Sequence, residues 1–161
     1  MNFSEFYQKY FDKVFNYIYK RILDYEKSLD IIQESFLKLF LSFEKIKSKD
    51  EKVLKVYIYK VSASCITDYK RKLKIKPEAN IENIEFENGY EENFESFEKV
   101  KLAISILEKL PGKYSEVLRL KFVEELENDE IAEILKVKES SVRSLIKRGI
   151  EKARSILSIS Y

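Results

Sequence analysis

The sequence predicts an all-α protein built from two small helical domains, and three observations support this prediction. The 161 residues include only 3 Gly and 2 Pro, so few positions interrupt a helix. Apolar residues recur three and four positions apart along most of the chain, which is the spacing of one helix face. A stretch beginning at Pro77 lacks that spacing. We therefore expect a helical domain over 1–76, a flexible acidic linker over 77–95, and a second helical domain over 96–161.

Three helices are predicted in the first domain. They run from about Ser4–Leu23, Tyr25–Phe43 and Val53–Lys74, with a polar connector over 42–52 between the second and third. The positions expected to face inward are Phe3, Tyr7, Tyr10, Phe11, Val14, Ile18 and Ile22 in the first helix, Leu29, Ile32, Phe36, Leu39 and Phe40 in the second, and Val53, Tyr57, Val61 and Cys65 in the third.

Four further helices are predicted after Pro77, which ends the helical pattern because it has no N–H and restricts the residue before it. Ser96 is the expected N-cap of the fourth helix, and Pro111 with Gly112 separates that helix from a fifth. A helix over Asn128–Leu135, a turn over 136–138 and a last helix over about Glu139–Leu157 form a helix-turn-helix. The expected inward positions are Phe97, Val100, Ile104, Leu107, Leu110, Tyr114, Val117, Leu118, Phe122, Leu126, Ile131, Ala132, Leu135, Val137, Val142, Ile146, Ile150 and Ala153.

The composition argues against an enzyme. The chain has no His and a single Cys, which removes His-based acid–base catalysis, His ligation of metals and an intramolecular disulfide. Cys65 is interpreted as a core residue. We expect neither a metal nor another cofactor. No apolar run approaches the roughly 20 residues that span a bilayer, and the first residues do not resemble a secretion signal. The expected location is the cytoplasm, without membrane insertion.

The charges are segregated along the chain although the net charge is only +2. Such segregation indicates separate electrostatic tasks. A basic run ends the third helix, at Lys70, Arg71, Lys72, Lys74 and Lys76. Every charged residue of the linker is acidic, at Glu78, Glu82, Glu85, Glu87, Glu91, Glu92 and Glu95. The last helix is basic again, at Arg143, Lys147, Arg148, Lys152 and Arg154.

The last helix has the residues of a DNA-recognition helix. Arg can pair with guanine through two hydrogen bonds, Ser reaches bases or phosphates, and Lys neutralises phosphate. Lys138 is a poor N-cap, and Gly149 in the helix interior would be explained by close helix packing. A solvated charged surface is the alternative interpretation of this face. The candidate DNA-binding residues are Ser140, Ser141, Arg143, Ser144, Lys147 and Arg148.

Four segments in sequence order resemble the extracytoplasmic-function (ECF) sigma factors of the sigma-70 family. They are DIIQESFLKLF from Asp30, YIYKVSASCITDYKRK from Tyr57, LPGKYSEVLRLKF from Leu110, and EIAEILKVKESSVRSLIKRG from Glu130. Each segment alone is moderately specific, whereas all four in this order are strongly specific. The resemblance covers nearly the whole chain except the linker.

The resemblance implies an alternative sigma factor, a subunit that directs core RNA polymerase to particular promoters and helps melt the DNA there. The implied partners are core RNA polymerase, through its β′ clamp helices and β flap, promoter DNA, and an anti-sigma factor. In this family the third helix and the loop before it bind the minus-ten element, and the last helix binds the minus-35 element. The implied polymerase-binding residues are Asp30, Gln33, Glu34 and Leu37. The implied minus-ten residues are Lys60, Ser64, Asp68, Lys70, Arg71 and Lys72.

Three positions depart from the usual family pattern. Tyr57 stands where the family usually has Trp, and we expect it to be a conservative change in the core. Ser64 replaces a common Asn near the surface that reads bases, and Leu145 replaces a frequent Arg in the last helix. The promoter preference of relatives therefore does not transfer to this chain.

Two other functional classes fit parts of the sequence. A stand-alone helix-turn-helix regulator would dimerise and bind duplex DNA without polymerase. An interaction protein that sequesters a partner would use its basic helix only for solubility. The order of the four segments favours the sigma factor.

Overall fold

The computed structural model describes residues 1–73 and 94–160. Over these residues the protein is all-α, as predicted, and the helices form two compact units, Met1–Glu85 and Phe86–Tyr161. The predicted linker lies outside the described residues except for its last two positions. The boundaries of the three predicted ranges, 1–76, 77–95 and 96–161, remain predictions. No helix in the two described ranges is long and apolar enough to cross a membrane.

The first unit is a three-helix arrangement of α1 (Phe3–Ile22), α2 (Tyr25–Ser42) and α3 (Glu51–Leu73), each packed against the other two. Asn2 begins α1 with a capping box, since its side chain accepts from Glu5 N at 2.9 Å and its N–H donates to Glu5 Oε2 at 3.1 Å. Asp24 begins α2 by accepting from the backbone N–H of Lys27 at 3.1 Å. Local side-chain chemistry therefore fixes both helix starts.

The core of this unit is rich in aromatic rings. Tyr17 of α1 meets Tyr59 of α3 edge to face, with ring centroids 5.0 Å apart. Phe36 of α2 is buried between rings of α1, with Tyr7 at 4.8 Å and Phe11 at 6.1 Å. The buried apolar residues of the unit are Phe6, Tyr10, Val14, Tyr17, Ile18, Ile31, Ile32, Phe36, Leu39, Leu54, Val56, Ile58, Tyr59, Cys65 and Ile66.

The predicted inward face of α3 is wrong for three of its four residues, and Cys65 is buried as predicted. Leu54, Ile58 and Ser62 are buried, whereas Val53 is exposed and Tyr57 is only half-buried, as is Val61. The segment from 53 to 61 is apolar at almost every position, so its spacing fits several helix phases equally well. The phase is set instead by where α1 and α2 cover the helix. Tyr57 is therefore not a core residue.

Two other inward assignments in this unit are wrong for a related reason. Tyr7 and Phe40 are exposed at the edges of the α1–α2 contact, although each touches a neighbouring ring. Helical spacing places a residue near a face, but it does not decide whether the neighbouring helix is wide enough to cover it. Phe6 and Tyr17 of α1, which were not predicted to face inward, are buried.

An ion pair and a hydrogen bond tie the start of α3 to α1. Glu51 pairs with Lys9 and accepts a hydrogen bond from the Tyr10 hydroxyl at 2.6 Å. These two contacts, in that order of importance, lower the pKa of the Glu51 carboxyl below its ordinary value. The carboxylate thus stabilises the α1–α3 contact in its charged form.

The second unit consists of α4 (Phe94–Lys109), α5 (Gly112–Leu118), α6 (Asn128–Leu135) and α7 (Glu139–Ser160). Helices α4, α5 and α6 all pack against α7. The predicted turn is present between α6 and α7, with Lys136 in the left-handed conformation. The fourth helix begins at Phe94, so Ser96 lies inside the helix and is not its N-cap. The buried apolar residues of this unit are Leu110, Tyr114, Val117, Leu118, Leu120, Leu126, Ile131, Ala132, Ile134 and Val142.

The end of the fifth helix departs from regular α-helix. Residues Arg119–Val123 form a π-helical turn, in which Glu124 N donates to Arg119 O at 3.0 Å, five residues back. A wider turn rotates the following side chains away from their α-helical positions. Phe122, predicted to be inward four residues after Leu118, is consequently 60% exposed. Val137 in the turn is also exposed, against the prediction.

Candidate protein- and nucleic-acid-binding surfaces

The four residues predicted to bind polymerase share one exposed face of α2. Asp30, Gln33, Glu34 and Leu37 lie three and four residues apart, and all four are exposed. The opposite side of α2 carries Ile32, Phe36 and Leu39 into the core. The arrangement offers carboxylates and an amide oxygen to a partner without disturbing the fold.

One of these carboxylates has a partner within its own helix. Glu34 Oε1 lies 3.0 Å from Lys38 Nζ, one turn along α2. The hydrogen bond to Glu34 is the main cause that raises the pKa of Lys38, and the nearby Cys65 adds to it. Exposed pairs at this spacing contribute only about 0.3–0.5 kcal/mol, so Glu34 can exchange Lys38 for an external cation at little cost.

Apolar side chains extend the α2 face beyond the predicted residues. Leu37 is 56% exposed, Leu41 one turn later is 67% exposed, and Phe40 beside them is 57% exposed. Only Leu37 was predicted from the sequence. Leu41 could have been identified because it continues the spacing of Gln33 and Leu37, whereas Phe40 fits the inward pattern equally well.

Five of the six candidate minus-ten residues lie on the side of α3 that the corrected helix phase turns outward, whereas Lys70 falls in the row of the buried Tyr59 and Ile66. Ser64, Asp68, Arg71 and Lys72 are exposed, and Lys60 and Lys70 are half-buried. Tyr57 and Val61 are half-buried on the same side. This surface therefore combines cations with an aromatic ring and an aliphatic side chain, which are the groups that hold unstacked bases and their phosphates.

The connector before α3 is ordered. A short 3-10 helix, Phe43–Lys45, follows α2, and Ile46 N donates to Ser42 O at 3.1 Å. Lys49 Nζ lies 4.3 Å from the centre of the Phe43 ring and donates to Ile46 O at 3.0 Å. The connector thus brings a cation and an aromatic ring together.

All six residues predicted to read DNA on the last helix lie on the outer side of α7. Five of the six are exposed, and Ser141 is half-buried. Their basic residues form two pairs with a spacing of four residues, Arg143 with Lys147 and Arg148 with Lys152, and Lys152 is also exposed. Val142 and Gly149 are buried on the opposite side, and Ile146 is half-buried there. A helix with this division can place polar groups in a major groove while its apolar side stays on the domain.

Gly149 is explained by packing. A Cβ at this position would lie 3.1 Å from Leu118 Cδ1 and 3.2 Å from Leu118 Cγ. Leu118 is itself buried in α5, so a side chain at 149 would require Leu118 to give way by a few tenths of an ångström or α7 to move outward. The predicted close helix contact is confirmed.

Three carboxylates at the start of α6 are close enough to share a cation. Their oxygens, from Glu127, Asp129 and Glu130, lie within 4.8 Å of one another. The first turn of a helix attracts negative charge, which accounts for acidic residues there. We assign no metal to this group.

The fold and the exposed faces together describe a two-unit helical protein with one exposed face of mixed carboxylate and apolar side chains on α2 and two surfaces with the composition of nucleic-acid-binding sites. Two family models match the chain. Sigma-70 region 2 matches residues 6–75 and sigma-70 region 4 matches residues 101–152.

Relatives and solved structures agree with these models. The ECF RNA polymerase sigma factor SigM of Bacillus subtilis (strain 168) is 24% identical over 158 residues, which are 97% of this chain and 95% of SigM. RNA polymerase sigma factor SigV of the same strain is 28% identical over 148 residues, 91% of this chain and 83% of SigV.

Among solved structures, CnrH in complex with the cytosolic domain of CnrY has a TM-score of 0.68 at 14% identity, covering 99% of this chain and 89% of CnrH. The sigma factor RpoE of Bartonella quintana, in complex with the anti-sigma factor NepR, has a TM-score of 0.61 at 13% identity. It covers 98% of this chain and 99% of the RpoE chain.

The chain belongs to the sigma-70 family and is an ECF sigma factor. It is therefore an alternative sigma factor, whose region 2 and region 4 domains bind core RNA polymerase and promoter DNA. Members of this family are initiation factors and are generally not enzymes.

Proposed function

We propose that the protein uses three separate surfaces to start transcription. The outer face of α2 binds the β′ clamp helices, α3 with the preceding connector holds the melted minus-ten element, and α7 binds the minus-35 element. The observation that carries this proposal is the exposure of the matching residues on three different helices, each with its apolar side in a core. The second unit also meets the β flap. RNA synthesis belongs to the polymerase, and the protein contributes binding and positioning without chemistry of its own.

The assignment of α2 is supported by its mixture of groups. Asp30 and Glu34 offer negative charge to a basic partner helix, and Gln33 adds a directional hydrogen bond. Leu37 and Leu41 supply apolar area beside them, which a purely solvated face does not need. A charged rim beside a small apolar centre is the composition of a protein interface.

The assignment of α3 is supported by the position of Tyr57. Its half-exposed ring lies one turn before Val61 and beside Lys60 on the outward side of the helix. Stacking on an aromatic ring stabilises an unpaired base by about 1–3 kcal/mol without requiring a particular base. The basic end of α3, at Arg71 and Lys72, suits the strand's phosphates.

A protein regulator is also proposed. The similar RpoE structure holds an anti-sigma factor, and we propose a partner of that class for this chain. Such a partner blocks transcription if it covers the α2 face that the polymerase needs. A factor that works on core polymerase and promoter DNA acts in the cytoplasm.

Run-off transcription tests the proposal. Core RNA polymerase of the source organism is incubated with a library of its genomic fragments, with and without the protein, and the transcripts are sequenced. We expect the protein to create discrete new start sites. The proposal is refuted if no fragment is stimulated and the protein does not bind core polymerase. Binding to duplex DNA as a dimer without polymerase would instead indicate a stand-alone regulator.

A further inference from the structure

The structure places two lysines, neither of them among the predicted DNA-binding residues, around a single buried ring in the second unit. Lys113 Nζ of α5 lies 5.0 Å from the centre of the Tyr114 ring, and Lys152 Nζ of α7 lies 5.5 Å from the same centre. Tyr114 is only 6% exposed, so the ring is held by the core. Both lysines are exposed. A fixed ring therefore brings cations from two helices to one point on the surface.

The position of Lys152 shows on which side of α7 the two lysines meet at the Tyr114 ring. Arg148 and Lys152 are one turn apart and share an edge, as do Arg143 and Lys147. The two pairs are offset by five residues, which at 3.6 residues per turn puts the edges about 140° apart. Ser140 and Ser144 fall between them on the outer surface. The helix thus has two cationic edges, with Ser140 and Ser144 between them in its first turns and the exposed carboxylate of Glu151 between them further along.

This pattern matches the shape of a major groove. The groove is about 12 Å wide and an α-helix with its side chains is about 10–12 Å across, so a docked helix has a phosphate strand along each side. The small serines face the bases, where bulk would keep the helix out. The edge of Arg143 and Lys147 meets one strand. The opposite edge, formed by Arg148 and Lys152 and extended by Lys113 from α5, meets the other phosphate strand.

We propose that Lys113 and Lys152 form a phosphate-binding site for the second strand of the upstream promoter element, with Tyr114 as the positioning residue between them. The inference rests on the proposed role of α7. Within the part of the chain that the structure describes, neither lysine forms an ion pair, so both charges are available to DNA. Phosphate contacts fix the orientation of the helix and carry no sequence information. The two lysines therefore increase affinity without choosing bases.

Salt dependence distinguishes this role from a structural one. Each phosphate contact contributes about 0.9 to the slope of log affinity against log salt. The double variant Lys113→Gln/Lys152→Gln should reduce this slope by about 1.8. Between 50 and 200 mM KCl the fall in affinity should then be about 12-fold smaller than for the wild type. The probe is a promoter duplex that the wild-type holoenzyme selects from a randomised library, and binding is measured by fluorescence anisotropy.

Three controls make the result specific. Lys99→Gln removes the same charge from an exposed position of α4, ten residues before the end of that helix, and should leave the slope unchanged. Lys113→Arg/Lys152→Arg keeps both charges and should restore the slope. The library selected by the double variant should show the wild-type sequence preference.

The outcomes separate this inference from the proposed function. If the wild-type holoenzyme selects no duplex, the proposed function fails. If it selects one and the double Gln variant keeps the full salt slope, the second phosphate site is wrong. A changed sequence preference in the double variant would also overturn it, because it would identify the lysines as base readers.

Discussion

Replacing Gly149 by Ala tests the packing that sets the position of the recognition helix. The new Cβ would lie 3.1 Å from Leu118 Cδ1, closer than an ordinary carbon–carbon contact. Leu118 is buried and cannot swing into solvent. Overpacking a core contact costs about 1–3 kcal/mol. In a helix interior, exchanging Gly for Ala returns about 1 kcal/mol through helix propensity. The difference between this cost and this gain is a destabilisation of α7 by about 0–2 kcal/mol in Gly149→Ala. Helix propensity alone would instead predict that the substitution stabilises α7.

Gly112→Ala is the matched control. A Cβ at Gly112 would meet no atom within 4 Å, and this glycine does not have positive φ. The same chemical change should therefore be neutral or stabilise by up to about 1 kcal/mol, because only the unfolded chain loses freedom. The contrast between the two glycines isolates the contact with Leu118.

Hydrogen exchange of the α7 amides in the full-length protein is the assay, because it reports local opening without assuming that the two units unfold together. The Gly149→Ala substitution is then made in a Leu118→Ala variant, which lacks the Cγ, Cδ1 and Cδ2 atoms that a Cβ at 149 would meet. In this variant Gly149→Ala should stabilise α7 by about 1 kcal/mol through helix propensity. The expected coupling between the two positions is about 1–3 kcal/mol. If Gly149→Ala increases α7 protection as Gly112→Ala does, or has the same effect in both backgrounds, the contact with Leu118 does not limit how closely α7 packs.

Three further predictions concern the two binding faces and one ion pair. Asp30→Ala/Gln33→Ala should weaken binding to core polymerase at least tenfold in a pull-down titration while leaving the circular dichroism spectrum unchanged, because both side chains are exposed. Arg143→Ala/Lys147→Ala should preserve polymerase binding and reduce protection of the upstream promoter element in DNase footprints. Glu51 has a lowered pKa in the folded state, so its stabilising effect is present above the unfolded pKa of about 4.3 and is lost as the pH falls through the folded value. The protection factors at the start of α3, which are corrected for the intrinsic exchange rate at each pH, should fall in that acidic window, and Glu51→Gln should remove this pH dependence.

Each of these predictions has a result that would contradict it. Unchanged polymerase affinity in the first variant would move the docking face away from α2. A loss of polymerase binding in the second would mean that α7 is not a dedicated DNA helix. If the protection factors at the start of α3 fell equally with Glu51→Gln, other carboxylates would be responsible for the acid sensitivity.

The polar faces of α2 and α7 were predictable because their sequences separate polar from apolar residues at a clear helical period. Asp30 and Gln33 are exposed as expected, and Val142 is buried as expected. The face of α3 was not predictable, because the apolar run around Tyr57 satisfies more than one phase. The exposed Phe122 was missed since nothing in the local sequence announces a π-helical turn.

The sequence by itself determined the helical class, the order of the helices and the family, because helix propensity, apolar spacing and short motifs are local properties of the chain. The tertiary structure alone decided which side of α3 faces outward, since burial depends on which neighbours cover a residue. It also decided that Lys113 and Lys152 meet at Tyr114. That contact joins positions 39 residues apart on two helices, and no local pattern encodes it.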